Sequence, residues 1–153
     1  MQQLTLAHPN LHAVIVGGAD PKKQTYLDEL QQQVQTLGLQ DRVTFVGHRT
    51  DIREWLAAST LSLSLSSQAE TFGRTTLESL SVGTPVIGWD RGGVAEILRE
   101  IYPQGLVSVD DEAALIQRVD MFLQHPDQIA PVKQFLLSQM TDQTLQVYGE
   151  LAD

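Results

Sequence analysis

Residues 66–88, SSQAETFGRTTLESLSVGTPVIG, decide the fold that the sequence predicts. The run before them, Leu61–Leu65, alternates leucine with serine, which is typical of a strand with one closely packed face. Gly73 permits an unusual backbone turn, and apolar residues then follow at helical spacing until Gly83. The residues after Gly83 are apolar again. The pattern therefore predicts a strand, a loop, a helix beginning near Arg74 and a second strand.

Two carboxylates flank the predicted start of that helix. Glu70 belongs to the loop, and Glu78 belongs to the early turns of the helix. The free N–H groups and the positive dipole end of a helix favour a phosphate. Carboxylates instead repel phosphate and accept strong hydrogen bonds from hydroxyl groups. A diphosphate with a sugar on each side satisfies both requirements, so the arrangement predicts a nucleotide-sugar site.

The spacing of these glutamates and the sequence after them resemble the C-terminal domain of GT-B glycosyltransferases, especially glycosyltransferase family 4. Seven residues separate Glu70 from Glu78, and the motifs GTPVI at 83–87 and GGVAEI at 92–97 follow. An acid pair at this spacing is common by chance, but an acid pair followed by both motifs is not. The resemblance covers nearly the whole chain.

The resemblance implies a role for each residue of the predicted site. Glu78 corresponds to the glutamate that binds the nucleotide ribose. Glu70 corresponds to the acid near the donor sugar, where it could stabilise positive charge at the anomeric carbon, and it is the candidate catalytic residue. The other candidate substrate-binding residues are Phe72, Gly73, Arg74, Thr75, Gly17, Gly18 and His48.

Each of these residues also has an ordinary structural interpretation, and the sequence leaves the alternatives open. The two glutamates could be solvated acids, since an acid near a helix start is favoured by the dipole. Thr75 and Thr76 suit a helix cap as well as a phosphate contact. His48 suits the protein surface as well as a base pocket, and residues 90–93 could form a simple turn.

Composition narrows the class of protein and its partners. The 153 residues include no cysteine, which excludes disulfides and thiolate zinc sites and fits a cytoplasmic protein. Ten basic and nineteen acidic residues give a net charge of −9, which opposes binding to nucleic acid. No apolar run approaches a membrane span. The sequence contains no Asp-x-Asp motif, and the resemblance implies metal independence, so we expect no metal and no other cofactor.

Predicted strands alternate with predicted helices along the whole chain, which we expect to form a single domain, 1–153. Strands are expected at 12–18, 42–47, 61–65, 85–89 and 106–109. Helices are expected to end at 7, to begin at Asp20–Pro21, Asp51, Arg74 and Asp110 or Asp111, and to cover 94–99 and about 132–151. This alternation predicts a doubly wound, mostly parallel α/β sheet in three α/β/α layers, the Rossmann-like half of a GT-B fold.

Two of the helices carry more detailed predictions. Asp51 and Glu54 have the spacing of a capping pair at a helix start. The helix after Pro21 shows apolar residues at helical spacing, which predicts a buried stripe. That stripe consists of Leu27, Leu30, Val34 and Leu37.

The resemblance also implies that part of the family's structure is missing. The family's C-terminal domain normally begins with one more strand, central in the sheet and bearing a basic residue, and a helix that often holds a lysine. Neither precedes His12. An N-terminal Rossmann-like domain, which shapes the acceptor site in the family, is also not found. We therefore expect a fragment or one piece of a larger assembly.

The function implied by the resemblance is transfer of a hexose from a nucleotide-sugar, such as a UDP-, GDP- or ADP-sugar, to an acceptor. The acceptor would be a sugar or a lipid-linked sugar, held by the missing N-terminal domain, and the anomeric configuration would be retained. The isolated chain is expected to bind donor weakly or not at all and to lack transferase activity. The alternatives are a GT-B epimerase or phosphorylase, and a stand-alone sugar-nucleotide-binding module without catalysis.

Overall fold

The computed structural model describes residues 1–18 and 24–152. Its strands are β1 (Ala13–Val16), β2 (Val43–Gly47), β3 (Ser62–Ser64), β4 (Val86–Trp89) and β5 (Leu106–Val107). Its α-helices are α1 (Gln2–Ala7), α2 (Gln24–Thr36), α3 (Ile52–Ala58), α4 (Arg74–Ser81), α5 (Gly92–Ile101), α6 (Glu112–Gln124) and α7 (Leu137–Ala152). The predicted helix start at Asp20 and Pro21 lies outside the described residues.

All pairs of neighbouring strands are parallel, but the strands form two sheets. β1 pairs with β2, while β3, β4 and β5 form a second sheet with β4 in the centre. Helices flank these sheets, which confirms the predicted parallel, Rossmann-like α/β class. Because the strands within each sheet run parallel, their carboxyl ends meet at one edge of that sheet, where such folds bind ligands.

The hydrophobic core lies on both faces of β4, whose four residues are all buried. Such burial is expected of the central strand of a parallel sheet. One core cluster consists of Leu4, Ile87, Trp89, Val107, Val119 and Phe122. The other consists of Leu80, Val86, Val94, Ile97, Leu98 and Tyr102. Alternate residues of β4 therefore serve opposite clusters, as the pleat of a strand requires.

The half of the molecule around β1 and β2 is much less buried. The apolar residues 14–16 of β1 are 37–42% exposed, and α2 has no buried residue. Two strands offer a helix less apolar surface than a full sheet would. The predicted buried stripe of α2 is therefore wrong in degree, because its members are only partly buried or exposed: Leu27, Leu30, Val34 and Leu37.

Contacts from α1 and α3 link the two sheets. The side-chain amide of Gln2 donates to the Leu37 carbonyl at 3.2 Å, while Nε2 of His8 lies 2.7 Å from a carboxylate oxygen of Asp120 on α6. The buried hydroxyl of Thr84 donates to the Leu56 carbonyl of α3 at 2.7 Å. Over the described ranges, none of the helices has the length and apolar character needed to cross a membrane.

Side-chain caps were predicted at the starts of α3 and α6, and the structure shows one at α6 only. The Asp111 carboxylate accepts from the Ala114 N–H at 2.9 Å and caps α6, as predicted. The predicted capping pair at α3 is wrong, because the Asp51 side chain makes no capping bond. Its carboxylate instead accepts two hydrogen bonds from the Arg49 guanidinium, at 2.8 and 2.6 Å.

Two helices have boundaries that differ from those predicted. The α5 helix begins at Gly92 rather than at residue 94, because Arg91 is the last extended residue before it. The α7 helix begins at Leu137 rather than near residue 132. Phe135 has φ of 58°, a left-handed conformation that an α-helix cannot include, and this explains the later start.

Candidate functional site

The α4 helix begins at Arg74, as predicted, and its start is shaped by Gly73. This buried glycine is the N-cap residue, with φ of 78° and ψ of 46°. A Cβ atom at this position would lie 3.0 Å from the Val94 backbone nitrogen, so any larger residue would push α5 away. Among the residues that the structure describes, no side chain caps the helix. The N–H groups of its first turn therefore lack intrahelical acceptors and are suited to an anionic ligand.

An open groove of about 180 Å³ lies beside this helix start, along the edge of β3. Residues 62–66, Glu70, Thr75 and Thr76 line the groove. Thr76 is only 1% exposed, and its hydroxyl has no hydrogen-bond partner within the described part of the chain. Leaving a buried hydroxyl unsatisfied costs about 1–3 kcal/mol. Thr76 therefore lines the groove while its hydroxyl stays buried, and the accessible polar side chains of the lining include Glu70 and Thr75.

The loop that carries Glu70 rests on the first turn of α5. The Gly93 N–H donates to the Glu70 carbonyl at 2.9 Å. A Cβ atom at Gly93 would lie 2.5 Å from the Phe72 carbonyl group, and one at Gly92 would lie 2.7 Å from the Glu70 carbonyl oxygen. The Arg91 guanidinium also donates to the Ser67 carbonyl. Residues 91–93 therefore support the loop, a role that the sequence left unassigned.

The two predicted acids occupy different surfaces around the helix start. Glu70 lines the groove together with Thr75. Glu78 lies on the exposed side of α4, with its carboxylate 3.4 Å from the Arg74 guanidinium. An exposed ion pair four residues apart on a helix stabilises it by about 0.3–0.5 kcal/mol. A ligand could therefore replace either partner at little cost.

The remaining predicted residues meet at the carboxyl ends of β1 and β2. The Gly17 N–H donates to the Gly47 carbonyl at 2.9 Å. A Cβ atom at Gly18 would lie 3.2 Å from Cβ of His48, and all three predicted residues are exposed. The structure therefore brings the predicted site together as two groups, one on each sheet: Gly17, Gly18 and His48 in one, and Glu70, Phe72, Gly73, Arg74, Thr75 and Glu78 in the other.

The guanidinium group of Arg49, the residue after His48, already contacts other side chains of the protein. The guanidinium carbon of Arg49 lies 5.6 Å from the centre of the Trp55 ring, a cation–π arrangement. The hydrogen bond from Arg49 lowers the pKa of the Asp51 carboxyl group below its usual value. Across residues 1–18 and 24–152, no group of three or more His, Asp or Glu side chains could hold a metal ion.

The parallel sheets and the groove at the strand ends define a Rossmann-like α/β domain with a ligand site in the usual place for such folds. A family model described as glycosyl transferases group 1 matches residues 1–134. The chain therefore belongs to the group 1 glycosyl transferases. This confirms the predicted resemblance to the C-terminal domain of GT-B glycosyltransferases, while assignment to glycosyltransferase family 4 stays a prediction.

Named relatives and solved structures agree with this family. The lipopolysaccharide core biosynthesis mannosyltransferase LpsB of Rhizobium meliloti is 30% identical over 133 residues, which are 85% of this chain and 37% of that protein. The crystal structure of Anabaena Alr3699/HepE in complex with UDP and glucose has a TM-score of 0.73 and 32% identity, covering 80% of this chain and 33% of that one.

A second solved structure covers even more of the chain. Sucrose-phosphate synthase from Thermosynechococcus elongatus has a TM-score of 0.76 and 26% identity, covering 98% of this chain and 41% of that one. The chain spans a little over a third of the length of the curated mannosyltransferases that it matches, 37% and 36%.

Proposed function

We propose that this chain is the donor-binding half of a glycosyltransferase that moves a sugar from a nucleotide-diphosphate sugar to an acceptor. The observation that carries the proposal is the groove that Glu70, Thr75 and Thr76 line beside the uncapped start of α4. The UDP and glucose named with the similar Anabaena structure support a nucleotide-sugar as the ligand.

The diphosphate would lie at the start of α4. Backbone N–H groups of residues 74–76 and the Thr75 hydroxyl would donate to it. A net charge of −9 repels an anion at long range, so this local set of donors must supply the attraction. Gly17 and Gly18 would leave room for the diphosphate from the opposite side, and His48 would contact the base.

The ion pair between Arg74 and Glu78 would break when donor binds, which would link diphosphate binding to ribose binding. Arg74 and Glu78 contact each other in the free protein, at 3.4 Å. Arg74 would turn toward the diphosphate, and the Glu78 carboxylate would then accept hydrogen bonds from the ribose hydroxyls. Hydrogen bonds to a charged group are each worth about 1.5–3 kcal/mol, more than the exposed pair that is lost.

Glu70 would act on the donor sugar. As the bond from the anomeric carbon to the diphosphate oxygen breaks, positive charge develops on the sugar, and the Glu70 carboxylate would stabilise it. The acceptor oxygen would bond to the anomeric carbon on the face that the diphosphate leaves, and the diphosphate would take the acceptor proton. This retains the anomeric configuration. No protein nucleophile, metal ion or other cofactor is required in the proposed reaction.

The proposed enzyme needs parts beyond those that the structure describes. Among the strands that the structure describes, β1 pairs only with β2, and β3 pairs only with β4. Both β1 and β3 therefore have a free edge that could pair with a further strand. The predicted strand would pair with these edges, and the helix predicted to follow it would cover exposed apolar residues of β1, because parallel strands are normally covered on both faces. An N-terminal domain would supply the acceptor site, and a cytoplasmic location remains a prediction.

Titration with nucleotide-sugars tests the proposal directly. Ligand-observed NMR with UDP-glucose, GDP-mannose and ADP-glucose should show binding of at least one. Glu78→Gln keeps the shape of the side chain but removes its charge. Glu78→Ala removes the acceptor altogether, and we expect it to weaken binding of that ligand by roughly 10- to 150-fold, the equivalent of one charged hydrogen bond. Glu78→Gln should weaken binding by less, because its amide oxygen still accepts a hydrogen bond. Glu70→Gln is expected to lower the affinity for the nucleotide-sugar but not the affinity for the free nucleotide.

Glu100→Gln is the matched control. Glu100 is an exposed acid near the C-terminal end of α5, away from the helix start that forms the site. Its replacement should leave ligand affinity unchanged. Equal affinities for the Glu78 and Glu100 variants would contradict the ribose assignment. No binding of any of the three nucleotide-sugars would contradict the proposed function of this chain as a donor-binding unit.

A further inference from the structure

The segment 125–136, between α6 and α7, crosses back toward the loop that carries Glu70. At its beginning, the hydroxyl of Tyr102, a residue only 3% exposed, donates to the Asp127 carboxylate at 2.7 Å. Further along, Ile129 and Val132 pack against the core cluster formed by α4, β4 and α5. The segment is therefore fixed to the same α5 helix that supports the loop.

The end of this segment contacts the loop through two aromatic rings. Phe135 meets Phe72 edge to face, with ring centres 6.2 Å apart and ring planes at 83°. The Phe72 carbonyl group lies against Gly93. Phe72 therefore contacts the first turn of α5 through its backbone and the Phe135 ring through its side chain.

The backbone at Phe135 has a costly conformation. Its φ of 58° is rare for a residue with a Cβ atom and costs of the order of 1–3 kcal/mol. The Gln139 side chain holds this turn, since it accepts from the Leu136 N–H at 3.1 Å and donates to the Lys133 carbonyl at 3.2 Å. Local strain of this kind is typical of residues that position a functional site.

We propose that Phe135 is a positioning residue, which holds Phe72 and through it fixes the loop 69–73 in the shape needed for donor binding. The inference rests on the proposed function for its ligand. It also goes beyond the family assignment, because the family match ends at residue 134, immediately before Phe135.

Hydrogen exchange in the ligand-free protein tests the positioning role without assuming any ligand. The Gly93 N–H is a direct reporter, because it donates to the Glu70 carbonyl of the loop. Loss of an aromatic pair should raise its exchange rate in Phe135→Leu by roughly 2- to 12-fold. Phe135→Tyr keeps the ring edge and should exchange like the wild type. The Ser62 N–H, which donates to the Pro85 carbonyl, should not change in either variant.

Tyr148→Leu is the control for a general effect of losing an aromatic ring from this end of the chain. Tyr148 is an exposed residue of α7. Its replacement should leave the Gly93 rate unchanged. Wild-type exchange at Gly93 in Phe135→Leu, or equal acceleration in Tyr148→Leu, would overturn the inference.

Donor titration of the same samples separates this inference from the proposed function. The dissociation constant of UDP-glucose should rise by a similar factor in Phe135→Leu. It should rise by much less when Phe72→Leu is already present, because the two rings act through one contact. If wild-type protein binds no nucleotide-sugar, the proposed function fails, while the exchange result still decides whether Phe135 positions the loop.

Discussion

Replacing Gly93 by alanine should displace the loop 69–73 from the first turn of α5. The new Cβ atom would lie 2.5 Å from the carbon and the oxygen of the Phe72 carbonyl group. Both obstacles are backbone atoms, so no side-chain rotation can relieve the contact. The loop must move outward, which breaks the hydrogen bond from the Gly93 N–H to the Glu70 carbonyl.

The magnitude follows from two opposing effects. Overpacking against fixed structure costs about 1–3 kcal/mol, while the better helix propensity of alanine recovers at most about 1 kcal/mol. The net loss therefore lies between about 0 and 3 kcal/mol. For a chain of this size each kcal/mol lowers the melting temperature by about 2–4 °C, so the expected decrease is up to about 12 °C. Loss of nucleotide-sugar affinity should accompany it.

Gly149→Ala supplies the opposite control for this experiment. Gly149 lies within α7, and an added Cβ atom would meet nothing within 4 Å. Alanine should raise stability there by about 0.5–1 kcal/mol. Thermal unfolding and the NMR shifts of residues 69–73 measure both variants. Unchanged loop shifts in Gly93→Ala would refute the conclusion that α5 supports the loop by direct backbone contact.

Two further predictions concern pH and the split sheet. Burial, helped by the Asp127 hydrogen bond, raises the pKa of Tyr102 well above its usual value, so only the unfolded tyrosine loses its proton above about pH 10. The free energy of unfolding should therefore fall as pH rises past that value, and Tyr102→Phe should lack this part of the fall in urea titrations; identical pH profiles would contradict the assignment. Backbone amides of β1 should exchange faster than those of β4, because β1 pairs with β2 alone among the described strands and has exposed side chains; equal protection would argue against its open edge.

The elements around β4 could be predicted from the sequence because each follows from nearby residues. An apolar run forms β4, and Gly73 and Gly83 lie just outside the two ends of α4. The start of α5 could not be predicted in this way. Gly92 and Gly93 look like an ordinary turn in the sequence. Glycine is needed there because the backbone of a loop about twenty residues earlier lies against both positions, and that contact forms only in the folded chain.

The site shows the same division between local and distant causes. The resemblance assigned Glu70 and Glu78 from their spacing, and the structure locates them on two neighbouring surfaces of one helix start. It could not assign Phe135, which belongs to an apolar pattern that looks continuous with α7. The left-handed turn there is bonded to the Gln139 side chain, and the Phe135 ring contacts Phe72. Neither contact can be predicted from the spacing of apolar residues in the sequence.

Because α4 begins directly after the left-handed Gly73, the number of residues between Gly73 and Glu78 fixes the direction in which the Glu78 side chain points. From Arg74 onward each residue advances α4 by about 100° around its axis. One residue inserted between Gly73 and Glu78 would rotate the Glu78 carboxylate by about that angle and point it to another side of the molecule. One residue inserted within the loop 69–73 would leave that direction unchanged and would instead disturb the backbone contacts of the loop with Gly92 and Gly93. Changes in length on the two sides of this glycine should therefore act differently, on the direction of Glu78 on one side and on the packing of the loop on the other.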